Sequence, residues 1–123
     1  MAVQTYKDLM AWQTGMTLVE RCYEMTAGFP VDERFGLTAQ VRRTAISIPA
    51  NIAEGAMRRR RKAYANHVSI ALGSHAELET YIELAGRLGY ITGHARETIA
   101  DQCAQAGRLL FGLHRSLTSR TDW

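Results

Sequence analysis

The chain has 123 residues and a formal net charge of +3, with 46% hydrophobic and 22% charged residues. A chain of this length buries roughly two thirds of its unfolded surface, so we expect one domain over residues 1–123. No stretch approaches the ~18 uninterrupted apolar residues of a membrane span, and residues 1–7 lack the pattern of a secretory signal. We therefore expect a soluble, cytoplasmic protein without membrane contact.

A first helix is predicted over residues 5–26, because hydrophobic residues recur there at steps of three and four. The apolar stripe consists of Leu9, Trp12, Met16, Val19 and Tyr23. Gly28 and Pro30 should end this helix, since glycine tolerates a C-terminal cap and proline cannot continue the hydrogen-bond ladder.

A second helix is predicted after Asp32, which can cap its N-terminus. The apolar positions keep the helical spacing at Phe35, Thr38, Val41, Ala45 and Ile48. Pro49 lacks a backbone N–H and disfavours helical angles at the preceding residue, so we predict a kink or a short break there. A further turn over residues 51–54 should then end at Gly55.

The longest periodic stretch follows the basic run and predicts a third helix that ends at Gly89. Its apolar positions are Tyr64, Val68, Ala71, His75, Leu78, Ile82 and Ala85. A fourth helix should begin near Thr92, with a stripe of Ala95, Ile99, Cys103, Ala106, Leu110, Leu113 and Leu117. Short connections between four helices make neighbours antiparallel, so the predicted fold is all-α: an up-down-up-down four-helix bundle kinked at Pro49.

Two glycines, Gly73 and Gly86, lie inside the predicted third helix. Each should cost about 1 kcal/mol of stability relative to alanine. We therefore expect each to stand at a close contact between helices.

Positive charge is concentrated in the middle of the chain. Residues 34–76 hold eight basic side chains against one acidic side chain, whereas residues 1–33 hold two against five. Such concentration indicates either a solvated turn or an anionic partner. Guanidinium groups bind phosphate oxygens bidentately and stay charged at physiological pH. The candidate nucleic-acid-binding residues are Arg42, Arg43, Arg58, Arg59, Arg60, Arg61 and Lys62.

A second charged group, Glu77, Glu79 and Glu83, lies on the predicted third helix. Glu83 and Arg87 are one turn apart and can form an ion pair. Two interpretations stay open. Either this is an isolated surface pair with the other glutamates solvated, or the four residues belong to a network between helices or subunits that fixes their register.

No catalytic or cofactor motif occurs in the sequence. The Glu-x-x-His pairs of di-metal bundles are absent, because none of the four histidines has a glutamate three residues before it. His75 and Glu79 are one turn apart, but such a pair is more often a hydrogen bond than a metal site. Cys22 and Cys103 are expected to be reduced and buried. We expect no enzyme, no metal and no cofactor.

Several segments resemble one family of bacterial proteins. These segments are 6–9, 11–12, 29–30, 34–37, 40–43, 47–55, 73–74 and 77–80. They are similar to the four-helix bundle proteins first noticed as reading frames within intervening sequences of bacterial 23S ribosomal RNA. The likeness runs from about Tyr6 to Tyr90, and Ser-Ile-Pro-x-Asn-Ile-Ala-Glu-Gly at 47–55 is its specific motif.

The resemblance implies an S23-type bundle that assembles as a homopentamer, with no known catalysis. It also implies a distant kinship with the accessory variability determinant of diversity-generating retroelements. That protein is a basic bundle that works with a reverse transcriptase and RNA.

Two functions of different kinds stay open. The leading hypothesis is an oligomer that binds RNA or other nucleic acid through the basic segment, which a ring would repeat on one assembly. The alternative is an adaptor ring that scaffolds another protein, with the arginines serving solubility or subunit pairing. A ring is also favoured by apolar residues outside the main stripes, namely Ile46, Ile52, Ile70 and Tyr81.

Overall fold

The computed structural model describes residues 5–119. Within this range the chain forms four α-helices: α1 (Met10–Ala27), α2 (Leu37–Met57), α3 (Arg61–Arg87) and α4 (Gly93–Thr118). Short 3-10 turns, Tyr6–Asp8 and Val31–Glu33, precede α1 and α2. Sequential helices pack against each other and α1 also packs on α4, so the predicted antiparallel four-helix bundle is confirmed. None of the described helices is long and apolar enough to cross a membrane.

One hydrophobic core joins the four helices, and α3 and α4 build it from most of the predicted positions. On these two helices the buried members of the predicted stripes are Val68, Ala71, His75, Leu78, Ile82, Ala85, Ile99, Cys103, Ala106, Leu110 and Leu117. The predicted boundaries between these helices are also confirmed. Gly89 follows the end of α3 in the left-handed region (φ 78°), and Thr92 is the N-cap residue of α4.

The stripe predicted for α1 is only partly correct: Leu9, Trp12 and Val19 are half-buried against the core, whereas Met16 and Tyr23 are exposed. The helix turns Ala11, Gly15, Leu18, Cys22 and Thr26 into the bundle. The predicted stripe is offset from the buried one by a single residue, or about 100° around the helix. Both stripes have helical spacing, and Gly15 of the buried one faces Ile48 and Pro49 of α2, where an added Cβ would make ordinary van der Waals contacts at 3.5–3.6 Å.

Helix α2 continues through Pro49, so the predicted break and separate turn are wrong. A proline inside a helix costs about 3 kcal/mol, because it removes one backbone hydrogen bond and crowds the preceding turn. Ile48 and Ile52 are fully buried on either side of it, and each such side chain contributes about 1.5–3 kcal/mol. Tertiary burial therefore outweighs the local cost. A bend of the helix axis without a break stays a prediction.

Helix α2 also begins later than predicted, and Asp32 is not its N-cap. The preceding 3-10 turn holds Asp32, and the Leu37 N–H donates to Glu33 Oε1 at 3.0 Å. The hydroxyl of Tyr90 donates to the other oxygen of the same carboxylate at 2.7 Å. These two hydrogen bonds, that of Leu37 first, lower the pKa of Glu33. One carboxylate thus joins the start of α2 to the α3–α4 connection.

The two glycines inside α3 have different surroundings. A Cβ on Gly86 would overlap the guanidinium group of Arg96, which confirms the predicted close contact. A Cβ on Gly73 would have no atom of the described residues within 4 Å. The prediction of a close helix contact at Gly73 is therefore wrong. A close approach of two helices lies at Gly55 of α2, where a Cβ would be 2.7 Å from His67 Cβ and 3.0 Å from Tyr64 Cδ1.

Replacing Gly55 by alanine should lower the free energy of unfolding by about 1–3 kcal/mol, because the added methyl group overlaps α3. Gly73→Ala is the matched control. Open space surrounds that position, and alanine is the better helix former, so stability should rise by up to about 1 kcal/mol. Urea unfolding followed by circular dichroism at one protein concentration measures both changes. Equal effects of the two substitutions would contradict the close α2–α3 contact.

Candidate nucleic-acid interface

The basic run forms the turn between α2 and α3. Arg58 caps the C-terminus of α2, and α3 begins at Arg61, so the chain reverses within three residues. Arg59 adopts the left-handed region with φ 61°, an uncommon conformation for an arginine. The prediction that the run occupies a turn is confirmed for residues 58–60, whereas Arg61 and Lys62 already belong to the first turn of α3.

The five side chains of this run differ in what they contact. Arg58 Nη2 lies 3.0 Å from Glu54 Oε2 in an exposed pair, which is worth less than about 1 kcal/mol. Arg61 is half-buried and donates to the Ser116 carbonyl of α4 at 3.2 Å. The side chains of Arg59, Arg60 and Lys62 are exposed. The run therefore presents three exposed cations and a fourth that only a weak pair holds.

The other two predicted arginines lie near the opposite end of α2. Sixteen positions separate Arg42 from Arg58, which is about 24 Å along a helix. Arg42 Nε donates to Thr26 Oγ1 at 2.8 Å, and its guanidinium lies 4.5 Å from the centroid of the Tyr23 ring. Arg42 thus joins α2 to α1, whereas Arg43 is exposed. The structure does not bring these two residues into one surface with the turn.

A groove of about 710 Å³ between α3 and α4 carries candidate binding side chains that the sequence reasoning missed. Arg108, Phe111 and Arg115 line it at i, i+3 and i+7 of α4, and Phe111 is 64% exposed. The bond from Arg61 to the Ser116 carbonyl places the C-terminal end of α4, next to Arg115, near the α2–α3 turn, whereas Phe111 and Arg108 lie about 8 and 12 Å further along α4. An aromatic residue between arginines at helical spacing was the signal available in the sequence.

The acidic residues of α3 divide between two sites. Glu83 pairs with Arg87 at 3.0 Å, as predicted, and also with Arg96 of α4 at 3.5 Å. The hydrogen bond from Arg87 is the main cause of the lowered pKa of Glu83. This carboxylate therefore forms a small network between helices, with Arg96 as the member that the sequence did not reveal. Glu79 lies instead beside His75, and Glu77 is exposed.

The exposed cations and the aromatic ring define the chemistry that this end of the bundle offers. Guanidinium groups bind backbone phosphates, and an exposed ring provides a stacking surface for a base. Arginines together with an aromatic side chain are typical of surfaces that bind single-stranded nucleic acid without sequence preference. The fold places the chain in the class of antiparallel four-helix bundle proteins.

The chain belongs to the family of 23S rRNA-intervening sequence proteins, whose family model matches residues 7–112. The crystal structure of a protein of unknown function from the S23 ribosomal protein family of Bacteroides thetaiotaomicron has a similar fold. It superposes with a TM-score of 0.78 at 25% identity, covering 85% of this chain and 95% of that one. A search of curated proteins finds no match.

These comparisons confirm the predicted family and point to no enzymatic family. Kinship with the accessory variability determinant of diversity-generating retroelements stays a prediction.

Arg42→Ala should lower the free energy of unfolding by about 1–2 kcal/mol, since it removes a hydrogen bond to the buried Thr26 and a cation–π contact with Tyr23. Arg43→Ala removes the same charge from the exposed neighbouring position and should change stability by less than about 0.5 kcal/mol. Thermal unfolding of both variants gives the comparison. A larger loss for Arg43→Ala would contradict the structural role assigned to Arg42.

Proposed function

We propose that this protein is a non-enzymatic homo-oligomer that binds RNA through one basic surface on each subunit. We call this surface the basic end. Its residues are Arg58, Arg59, Arg60 and Lys62 at the α2–α3 turn and Arg108, Phe111 and Arg115 on α4. The proposal depends mainly on the exposed Phe111 ring, which lies between two arginines on α4.

The electrostatics of the basic end suit phosphate binding. The pair between Arg58 and Glu54 is exposed and weak, so a phosphate can replace the carboxylate at little cost. Each phosphate neutralised on a single strand contributes about −0.7 to the slope of log affinity against log salt. Stacking of one base on an aromatic side chain adds about 1–3 kcal/mol without sequence preference. Affinity should therefore depend on salt concentration and on Phe111.

An exposed apolar surface on α1 and α2 supports the oligomer part of the proposal. The predicted stripe of α1, which includes Met16 and Tyr23, lies on the side of that helix next to α2, because the Tyr23 ring contacts Arg42 of α2. Ile46 and Met57 on the outer side of α2 are 43% and 62% exposed. We propose that a second copy of the chain covers this surface, in a ring that the family resemblance implies to be a pentamer.

The apolar residues that the sequence placed outside the main stripes give partial support for this coverage. Ile46 and Ile70 are exposed, Tyr81 is half-buried, and Ile52 is fully buried in the core. Two of the four residues are therefore available for a subunit contact. A protein adaptor stays the alternative function, and the RNA-binding experiment below separates the two.

Changing Arg59→Asn together with Arg60→Gln should weaken RNA binding and flatten its salt dependence by about 1.4 in slope, as expected for two lost phosphate contacts. Asparagine is chosen because it tolerates the left-handed backbone of Arg59. Arg34→Gln with Arg43→Gln is the matched control, since it removes two exposed arginines near the other end of α2. Fluorescence anisotropy of a labelled single-stranded RNA over a salt series measures all three proteins.

Phe111→Ala should weaken the same binding by about 5- to 150-fold, the effect of losing one stacked base, without changing the salt slope. Equal slopes for both double variants and the parent protein would favour the adaptor alternative. So would no RNA binding by the parent at low salt, especially if a protein partner is recovered after nuclease treatment.

Light scattering of the parent protein should give a multiple of 13.8 kDa, with five copies expected from the family resemblance. Met16→Glu with Ile46→Glu should reduce this mass to that of one chain, because each carboxylate would be buried without a partner at the proposed interface. Gln105→Glu on the exposed side of α4 is the control and should leave the mass unchanged. A monomeric parent at micromolar concentration would contradict the oligomer.

A further inference from the structure

The contact between α3 and α4 brings together three side chains with different donor atoms. His75 and Glu79 are one turn apart on α3, and Cys103 faces them from α4. One ring nitrogen of His75, one carboxylate oxygen of Glu79 and the sulfur of Cys103 all lie within 4.8 Å of one another. Imidazole, carboxylate and thiolate are the donor types that zinc uses. The sequence showed only the His75–Glu79 pair, because helix packing supplies the third residue.

The ring of His75 has a fixed hydrogen-bonding role. The residue is only 8% exposed, and its Nε2 lies 2.7 Å from the Cys103 carbonyl oxygen. A carbonyl can only accept, so Nε2 carries the hydrogen and donates. In the neutral ring Nδ1 is then an acceptor, and it faces another acceptor, Glu79 Oε1, at 3.7 Å. Metal-binding histidines typically donate their second ring N–H to a backbone carbonyl in this way.

Helix α4 makes room for this ring at Gly107. A Cβ on Gly107 would lie 2.5 Å from Cε1 and 2.6 Å from Nε2 of His75. A glycine inside a helix costs about 1 kcal/mol relative to alanine, and here its missing side chain lets the imidazole lie against the backbone. Packing on Gly107 and the bond to Cys103 therefore hold Nδ1 in one orientation before any ion arrives.

Cys103 supplies the sulfur donor at the end of a small cavity. Burial, with smaller contributions from Glu79 and Cys22, raises the pKa of its thiol to about 12, so the free thiol keeps its proton until an ion displaces it. The cavity, of about 220 Å³, is lined by Cys103, Glu79 and Arg96, and Arg96 is held by Glu83. Glu79 also lines the larger α3–α4 groove. His75 lines that groove and Cys103 lines the small cavity, so Glu79, which lines both, lies where the two openings adjoin. An ion held by three protein donors keeps a fourth position for water.

We propose that His75, Glu79 and Cys103 bind a divalent cation of the zinc class that bridges α3 and α4. The proposal revises the sequence-based expectation of no metal. Its binding step is a ligand exchange: the Cys103 thiol loses its proton to solvent, and the thiolate, His75 Nδ1 and Glu79 each replace one water molecule of the hydrated ion. No further reaction is assigned to the ion.

The test uses Co²⁺ as a spectroscopic probe on the reduced full-length chain. One equivalent should produce thiolate-to-cobalt absorption in the near ultraviolet, and added Zn²⁺ should abolish it. Cys103→Ala should lose this absorption, whereas Cys22→Ala, which removes the other buried cysteine, should keep it. Glu79 is exposed, so Glu79→Gln should not disturb folding. This change should weaken the affinity for Co²⁺ by at least about tenfold, because even a residue that only hydrogen-bonds to a metal ligand has an effect of that size.

Absence of the absorption in the parent protein at a several-fold excess of Co²⁺ would overturn the proposal. Equal spectra and affinities for the parent and Cys103→Ala would do the same. The Arg59→Asn, Arg60→Gln variant should bind Co²⁺ like the parent, so that failure of the metal site and failure of RNA binding are distinguishable.

Discussion

The close approach of α2 and α3 determines where the rest of the molecule lies. The Cα of Gly55 lies directly against the side chains of His67 and Tyr64 on α3. A larger residue at this position would displace α3. The Asn51 side chain adds a hydrogen bond to the ring of His67, with Oδ1 and Nδ1 3.1 Å apart. Helices this close leave room for only a three-residue reversal, which is why the arginines between them project into solvent.

The segment 47–55, which carries the specific family motif, is explained by packing on both of its sides. Towards α3, the hydroxyl of Ser47 bonds to that of Ser74, and Asn51 and Gly55 make the contacts with His67. Towards α1, Ile48 and Pro49 pack on Gly15. Contacts between helices therefore account for Ser47, Ile48, Pro49, Asn51 and Gly55 of the motif without a ligand, whereas Glu54 is exposed and pairs with Arg58. Function is therefore better sought in the turn that follows and in α4.

Part of this structure could be predicted from the sequence, and the reasons for the failures are physical. Helices α3 and α4 each carry one long stripe, so periodicity identified most of their core positions. Helix α1 carries two stripes of equal spacing, and periodicity alone does not decide which of them turns into the bundle. The break predicted at Pro49 considered only the local cost of a proline in a helix. The burial of Ile48 and Ile52 outweighs that cost and keeps α2 continuous.

The candidate sites depended on contacts between distant positions. The sequence located the turn arginines, but the length of α2 separates them from Arg42 and Arg43. Phe111, Cys103 and Arg96 acquire their roles only when α4 packs beside α3. The spacing of residues along one helix cannot reveal such partners, because it does not show which neighbouring helix packs against each face.

Photo-cross-linking tests the proposed RNA surface most directly. The full-length protein would be irradiated with single-stranded RNA containing 4-thiouridine, and the cross-linked peptides would be mapped by mass spectrometry. We predict cross-links at residues 58–62 and at Phe111 and its neighbours on α4, all of them lost at high salt. Cross-links confined to α1, or none at low salt, would contradict an RNA-binding role for the basic end.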